Sequence, residues 1–91
     1  MNNLSNVGSE RVIVVGKKSI SSYLIDVAVM FQEASTVVLR GEGKFISKAV
    51  DLFNAIMFKM GESVELVDVS IGSNIVRGRI KPYIVIKVKR K

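Results

Sequence analysis

Val12-Ile13-Val14-Val15-Gly16-Lys17-Lys18-Ser19-Ile20-Ser21-Ser22 sets the pattern that the remaining elements follow. Four β-branched residues in a row read as a buried strand and Gly16 as the turn that ends it. Ser19 reads as a helix N-cap whose hydroxyl accepts an orphan backbone N–H. Two adjacent lysines therefore sit at a strand-to-helix corner. Free N–H groups and the positive end of the helix dipole make such a corner favourable for an anion such as phosphate.

Downstream of the corner, Ile20, Tyr23, Leu24, Val27, Ala28 and Phe31 recur at helical spacing and predict a first helix over about 20–32. Ile25, Val29 and Met30 make its other flank apolar as well. Residues 35–40 are a β-branched strand, Gly41-Glu42-Gly43 a turn, and about 44–59 a second helix. On that helix Phe45, Ala49, Leu52, Phe53, Ile56 and Met60 face the sheet, while Ile46, Val50, Met57 and Phe58 spread apolar character round the cylinder. Lys48 and Asp51 are spaced for an intrahelical pair. Gly61 closes the helix as a C′ glycine.

The third strand carries Val64, Leu66, Val69 and Ile71, whose parity changes between 66 and 69. A β-bulge near Val67 and Asp68 restores a single inward face. Gly72, Ser73 and Asn74 end or bend this strand, and 75–81 is a loop or hairpin tip. Pro82 opens the last strand, where Ile84, Ile86 and Val88 point inward. The order is βαβαββ, an α/β (α+β two-layer) fold in which right-handed crossovers put two helices on one face of a mixed four-stranded sheet. Residues 1–10 read as a flexible polar tail and 11–91 as a single domain.

The 91 residues pair an apolar body (48% hydrophobic, net charge +6) with a mean hydropathy of +0.34. A core this small does not hide so much apolar surface, which points to a subunit interface and a dimer. No Cys and no His are present, which removes disulfides, thiolate nucleophiles, the usual zinc clusters and imidazole acid–base chemistry. The carboxylates show no metal-ligand or general acid–base spacing, so neither a metal nor a cofactor is called for and no enzymatic role is expected. Gly16-Lys17-Lys18-Ser19 mimics the close of a P-loop, but the upstream glycine that motif needs is Arg11. The first ten residues lack the pattern of a signal peptide, and no span approaches membrane-helix length, so an intracellular protein is expected.

Seven of the 14 cations (Arg77, Arg79, Lys81, Lys87, Lys89, Arg90 and Lys91) lie in the last 15 residues, and no acid follows Asp68. For residues 87–91 alone a solvated face is the plainer reading. Arginines flanking Gly78 in a hairpin tip make a cationic finger suited to a minor groove or a phosphate ladder. With Lys17 and Lys18 at the corner and Lys44 and Lys48 opening the second helix, they describe the footprint of a nucleic-acid binder. No recognition helix or exposed aromatic cluster favours sequence-specific readout, Tyr83 being the one exception.

Val14-Val15-Gly16-Lys17-Lys18, the central run from Gly43, Lys44, Phe45, Ile46, Ser47 and Lys48 through Ala49, Val50 and Asp51, and Ile71-Gly72-Ser73 together resemble the Alba family of archaeal chromatin proteins, small basic dimers that coat DNA and also bind RNA. The resemblance covers about 12–91. It implies the βαβαββ fold, Lys17 and Lys18 on the body of a DNA surface, and the loop between the last strands as an arm along the minor groove. It also implies cytoplasmic, nucleoid-associated residence and a homodimer or a heterodimer with a paralogue.

Three departures suggest a divergent second-type paralogue. Glu42-Gly43-Lys44 stands where common members have Arg-Gly-Arg, the arm is shorter, and the aromatic used between dimers is replaced by Met60, with Phe58 close by. The expected nucleic-acid-binding set is Lys17, Lys18, Arg40, Lys44, Lys48, Asn74, Arg77, Arg79 and Lys81. Phe53, Met57, Phe58 and Met60 are the expected dimer or dimer–dimer contacts, and Lys17 is a candidate for acetylation. The expected function is architectural binding of double-stranded DNA without sequence specificity, together with RNA. The alternative is an RNA-binding module in RNA processing or translation.

Overall fold

Along the opening strand Ile13 and Val15 are buried, while Val12 and Val14 stand 56% and 64% exposed. The strand is therefore covered on one face only, not on both as its continuous β-branched run suggests, because the fold has a single helical layer. The computed structural model describes residues 10–91. The tail expected over 1–10 lies outside the described residues except for Glu10, which belongs to the first strand.

The elements run β1 (Glu10–Val14), α1 (Ile20–Glu33), β2 (Thr36–Glu42), a 3-10 turn (Gly43–Phe45), α2 (Ile46–Met60), β3 (Val64–Val76) and β4 (Arg79–Arg90). Sheet order is β1-β2-β4-β3, with β1 and β2 parallel and the other two pairs antiparallel. Register places Ile13 opposite Leu39, Val37 opposite Val88 and Leu39 opposite Ile86, so these residues share one face. They join Tyr23, Val27 and Phe31 of α1 and Ala49, Leu52 and Ile56 of α2 in one core. Ala28, assigned to the buried stripe of α1, is exposed.

Gly41 lies within β2 rather than in a turn, and it is buried. A Cβ there would fall 2.7 Å from the Ala49 Cβ and 2.6 Å from the Phe45 carbonyl oxygen. This small-on-small contact lets α2 settle onto β2 and brings Lys44 and Lys48 to the end of the sheet. At the far end of α2, Gly61 has right-handed φ, −61°. It is not the left-handed C′ residue expected; a side chain there would run into the Met57 carbonyl.

The bulge falls between Leu66 and Asp68, as parity required. It puts Leu66 opposite Val88, Val69 opposite Ile86 and Ile71 opposite Ile84, all on the helix side of the sheet. The helices leave them partly uncovered: α2 lies mainly over β2 and β4, Leu66 and Val69 are about half exposed, and Ile71 is 78% exposed.

The expected break at Gly72-Ser73-Asn74 is absent. Gly72 serves instead as the flat bed for the Tyr83 ring, whose hydroxyl would collide with any Cβ at that position. Both strands continue to a two-residue turn, Arg77-Gly78, with φ of 53° and 76°. Positive φ at both positions is the type I′ geometry that matches strand twist. β4 accordingly opens at Arg79, and Pro82 sits just past the last β2–β4 pair, where one side of β4 has no neighbour.

Candidate nucleic-acid interface

β1 and β2 are parallel, so their C-terminal ends lie together, and β4 and β3 bring 81–83 and 72–74 to the same end. At the corner the Val15 amide donates to the Arg40 carbonyl at 2.8 Å, and the Gly16 amide donates to the Tyr23 hydroxyl at 2.6 Å. Ser19 caps α1 as expected, its Oγ accepting from the Ser22 amide at 3.1 Å. Tyr23 is buried and organises the cations: Lys18 Nζ lies 5.2 Å and Lys48 Nζ 5.8 Å from its ring centroid. Lys48 thus turns to Tyr23 rather than to Asp51, and no ion pair joins it to that residue. Helical periodicity marks Tyr23 only as core; a tyrosine at the start of a helix stripe gives no other sign.

The two corner lysines diverge. Lys18 pairs with Asp26 of α1, while Lys17 is exposed and, among the described residues, has no acidic partner. The same holds for Lys44, whose Nζ lies 5.4 Å from the Phe45 ring, and for Arg77 and Arg79, while Lys48 is half-buried and likewise has no acidic partner among the described residues.

Beyond Glu42 and Tyr83, where β2 ends, β3 and β4 continue alone as a ribbon pairing Ser73 with Pro82, Asn74 with Lys81, Ile75 with Ile80 and Val76 with Arg79. Four pairs at about 3.4 Å per residue carry the tip roughly 13 Å past the body. Alternation places Asn74, Lys81 and Arg79 on one face of this arm and the Ile75–Ile80 pair on the other. What reads as a loop in sequence is therefore a β-hairpin carrying Arg77, Arg79 and Lys81.

At the base of the arm Arg40 stacks on Tyr83, with Cζ 4.4 Å from the ring centroid. Its Nε donates to Glu42 Oε2 at 2.9 Å, and Lys81 Nζ lies 3.8 Å from Glu42 Oε1. The Arg40 hydrogen bond, aided by the charges of Arg40 and Lys81 and opposed by partial burial, holds the Glu42 carboxyl below the ordinary carboxylate range. One end of the sheet thus gathers all nine predicted binding residues, with three of the cations (Lys18, Arg40 and Lys81) paired to acids.

Of the predicted contact residues on α2, Phe53, Met57 and Met60 are half-buried against the core and Phe58 is 86% exposed. No group of three or more potential metal ligands occurs among the described residues, and none of their helices is long and apolar enough to cross a membrane.

Residues 11–73 match the family model described as Alba. A curated relative from Saccharolobus solfataricus, the DNA/RNA-binding protein Alba 2, is 40% identical over 80 residues, which are 86% of this chain and 90% of that protein. The solved structure of Alba from Thermoplasma volcanium superposes with a TM-score of 0.80 at 26% identity, covering 88% of this chain and all of the other. A Trypanosoma brucei structure, ALBA1, shares the fold at a TM-score of 0.75 and 17% identity, covering 87% of this chain and 68% of that one.

Proposed function

The chain belongs to the Alba family, and on that basis we propose that it binds double-stranded DNA, and RNA as well, without sequence specificity, as a dimeric architectural protein of the nucleoid. The observation that carries the reading is the gathering of Lys17, Lys44 and Lys48 beside an arm bearing Arg77 and Arg79, five cations without acidic partners among the described residues. They arrive from separate elements, so the sheet end presents a broad phosphate-binding surface rather than a pocket. Such a surface draws affinity from counterion release and reads backbone instead of bases. The naming of the Saccharolobus relative as DNA/RNA-binding supports the same reading.

Dimerisation is supported by the uncovered face of β3. Leu66, Val69 and Ile71 lie on the helix side of the sheet and stand open to solvent in the single chain, as does Phe58 on α2. Pairing two copies over this stripe and the neighbouring Phe53 and Met57 buries it by symmetry. A contact through Phe58 and Met60 joins dimers along the nucleic acid. Exposed and without an acidic partner, Lys17 is the acetylation site that most directly weakens binding, since acetylation removes its charge.

The test is a titration of unrelated duplexes and of a structured RNA at two salt concentrations, with ultracentrifugation of wild type and Ile71→Asp. Steep salt dependence, weak sequence dependence and a dimer that Ile71→Asp dissociates are expected. A flat salt response, a strong preferred site or a wild-type monomer at micromolar concentration overturns the corresponding part.

A further inference from the structure

Glu42 occupies the place where the two halves of the basic surface meet. Arg40 belongs to the body of the sheet and Lys81 to the first pairs of the arm, and Glu42 touches both, one carboxylate oxygen to each. The three side chains are half-exposed, between 30% and 51%, so the cluster faces the solvent that a nucleic acid would displace. Arg40 is further held by its stack on Tyr83, which lies over Gly72. Its Nε is the guanidinium nitrogen given to Glu42. The carboxylate has the charge and the acceptor geometry of a phosphate oxygen, set between two cations the surface would otherwise offer.

Resting on the binding function proposed above, we propose that Glu42 is a built-in competitor of the nucleic-acid phosphate: it engages Arg40 and Lys81 in the free protein and withholds their contribution to affinity. A cation already compensated by a protein carboxylate holds fewer mobile counterions to release, so it adds less to the salt-dependent driving force. A phosphate arriving at Arg40 either displaces Glu42 or meets its charge at close range, and both outcomes cost affinity. Lys17, Lys44 and Lys48, without such partners, carry their full share. Glu42 thereby sets how tightly the arm base grips the backbone, and bound complexes exchange faster than the net charge of the chain would dictate.

Glu42→Gln removes the charge while keeping an acceptor for Arg40 Nε, so the fold is retained. Titration of a fluorescent random-sequence duplex should give about fivefold tighter binding for this variant and a salt slope steeper by about two units per dimer, one for each protomer. Glu65→Gln, which frees Lys89 at the opposite end of the sheet, should change affinity by less than about twofold. The decisive comparison is Arg40→Ala in two backgrounds: its cost should be under about twofold in wild type and about fivefold in the E42Q background.

Weaker binding by E42Q would show that Glu42 positions Arg40 for contact and would overturn the proposal. So would an Arg40→Ala cost equal in the two backgrounds. Failure of wild type and E42Q alike to bind duplex or RNA would break the function reading itself. A binding wild type with an unresponsive E42Q breaks only the present proposal.

Discussion

The two ends of β4 look equally basic in sequence but are electrostatically unlike. At the arm end, Arg77 and Arg79 project on a hairpin next to Lys17, Lys44 and Lys48, with no acid for any of them among the described residues. At the opposite end Lys87 pairs with Glu10 at 3.1 Å and Lys89 with Glu65 at 3.6 Å. Both acids come from other strands: Glu65 directly faces Lys89 across the β3–β4 ladder, and Glu10 extends from β1 on the same outer face. A count of cations near the C-terminus therefore overstates the field there. What a polyanion meets is the charge left after the fold has distributed its own acids.

Stripping charge from each end in turn tests this contrast most severely. Arg77→Ala with Arg79→Ala should weaken duplex binding on the order of 100-fold near 0.1 M salt and flatten the salt slope by about three to four units per dimer, each lost phosphate contact removing about one unit. Lys87→Ala with Lys89→Ala should cost less than about threefold. Equal losses would mean that bulk charge alone matters.

Within the arm end, the corner lysines apply the same idea at finer scale. Lys17→Ala should weaken binding about fivefold and Lys18→Ala about twofold, because Asp26 already compensates Lys18. Lys17→Gln, as an acetyl mimic, should track Lys17→Ala. Filter binding at fixed salt measures all three, and a larger effect at Lys18 would reverse the assignment.

The tail end should respond in stability instead. Removing Lys89 should lower the unfolding free energy by about 0.2–1 kcal/mol, the usual range for an exposed pair, read as a shifted urea midpoint with unchanged affinity. A loss of affinity without a shift in midpoint would place the tail in the interface.

The smallest effect is on pH. Because the Glu42 carboxyl is held below its ordinary value of 4.5, its pairing adds stability that is fully present above that value. The contribution fades as pH falls through the lowered one. The difference in urea midpoint between wild type and Arg40→Ala should therefore be present at neutral pH and shrink as the pH is taken below the ordinary carboxylate value. A difference that persists or grows with acid would remove Glu42 as its source.

Much of the architecture is legible in the sequence because its causes are local. Ser19 lies next to the amide it caps, and the parity change between Leu66 and Val69 admits few remedies other than a bulge, which the ladder contains. The arm escapes such reading for an equally physical reason. Gly72, Ser73 and Asn74 are poor strand formers taken singly, and their reason for being extended is a ring from the facing strand that needs the space above Gly72. A propensity argument sees the residue and not its cross-strand neighbour.

Periodicity and short-range hydrogen bonding suffice for the order of elements, the turn at the lysine corner, the cap, the bulge and the residue types available for gripping phosphate; all of these were written in the chain itself. Which cations remain free was settled by the folded arrangement and nothing less. Glu10 and Lys87, or Glu42 and Lys81, become neighbours only when strands distant in the chain are laid side by side, and Coulomb attraction depends on that separation in space, not on spacing along the chain.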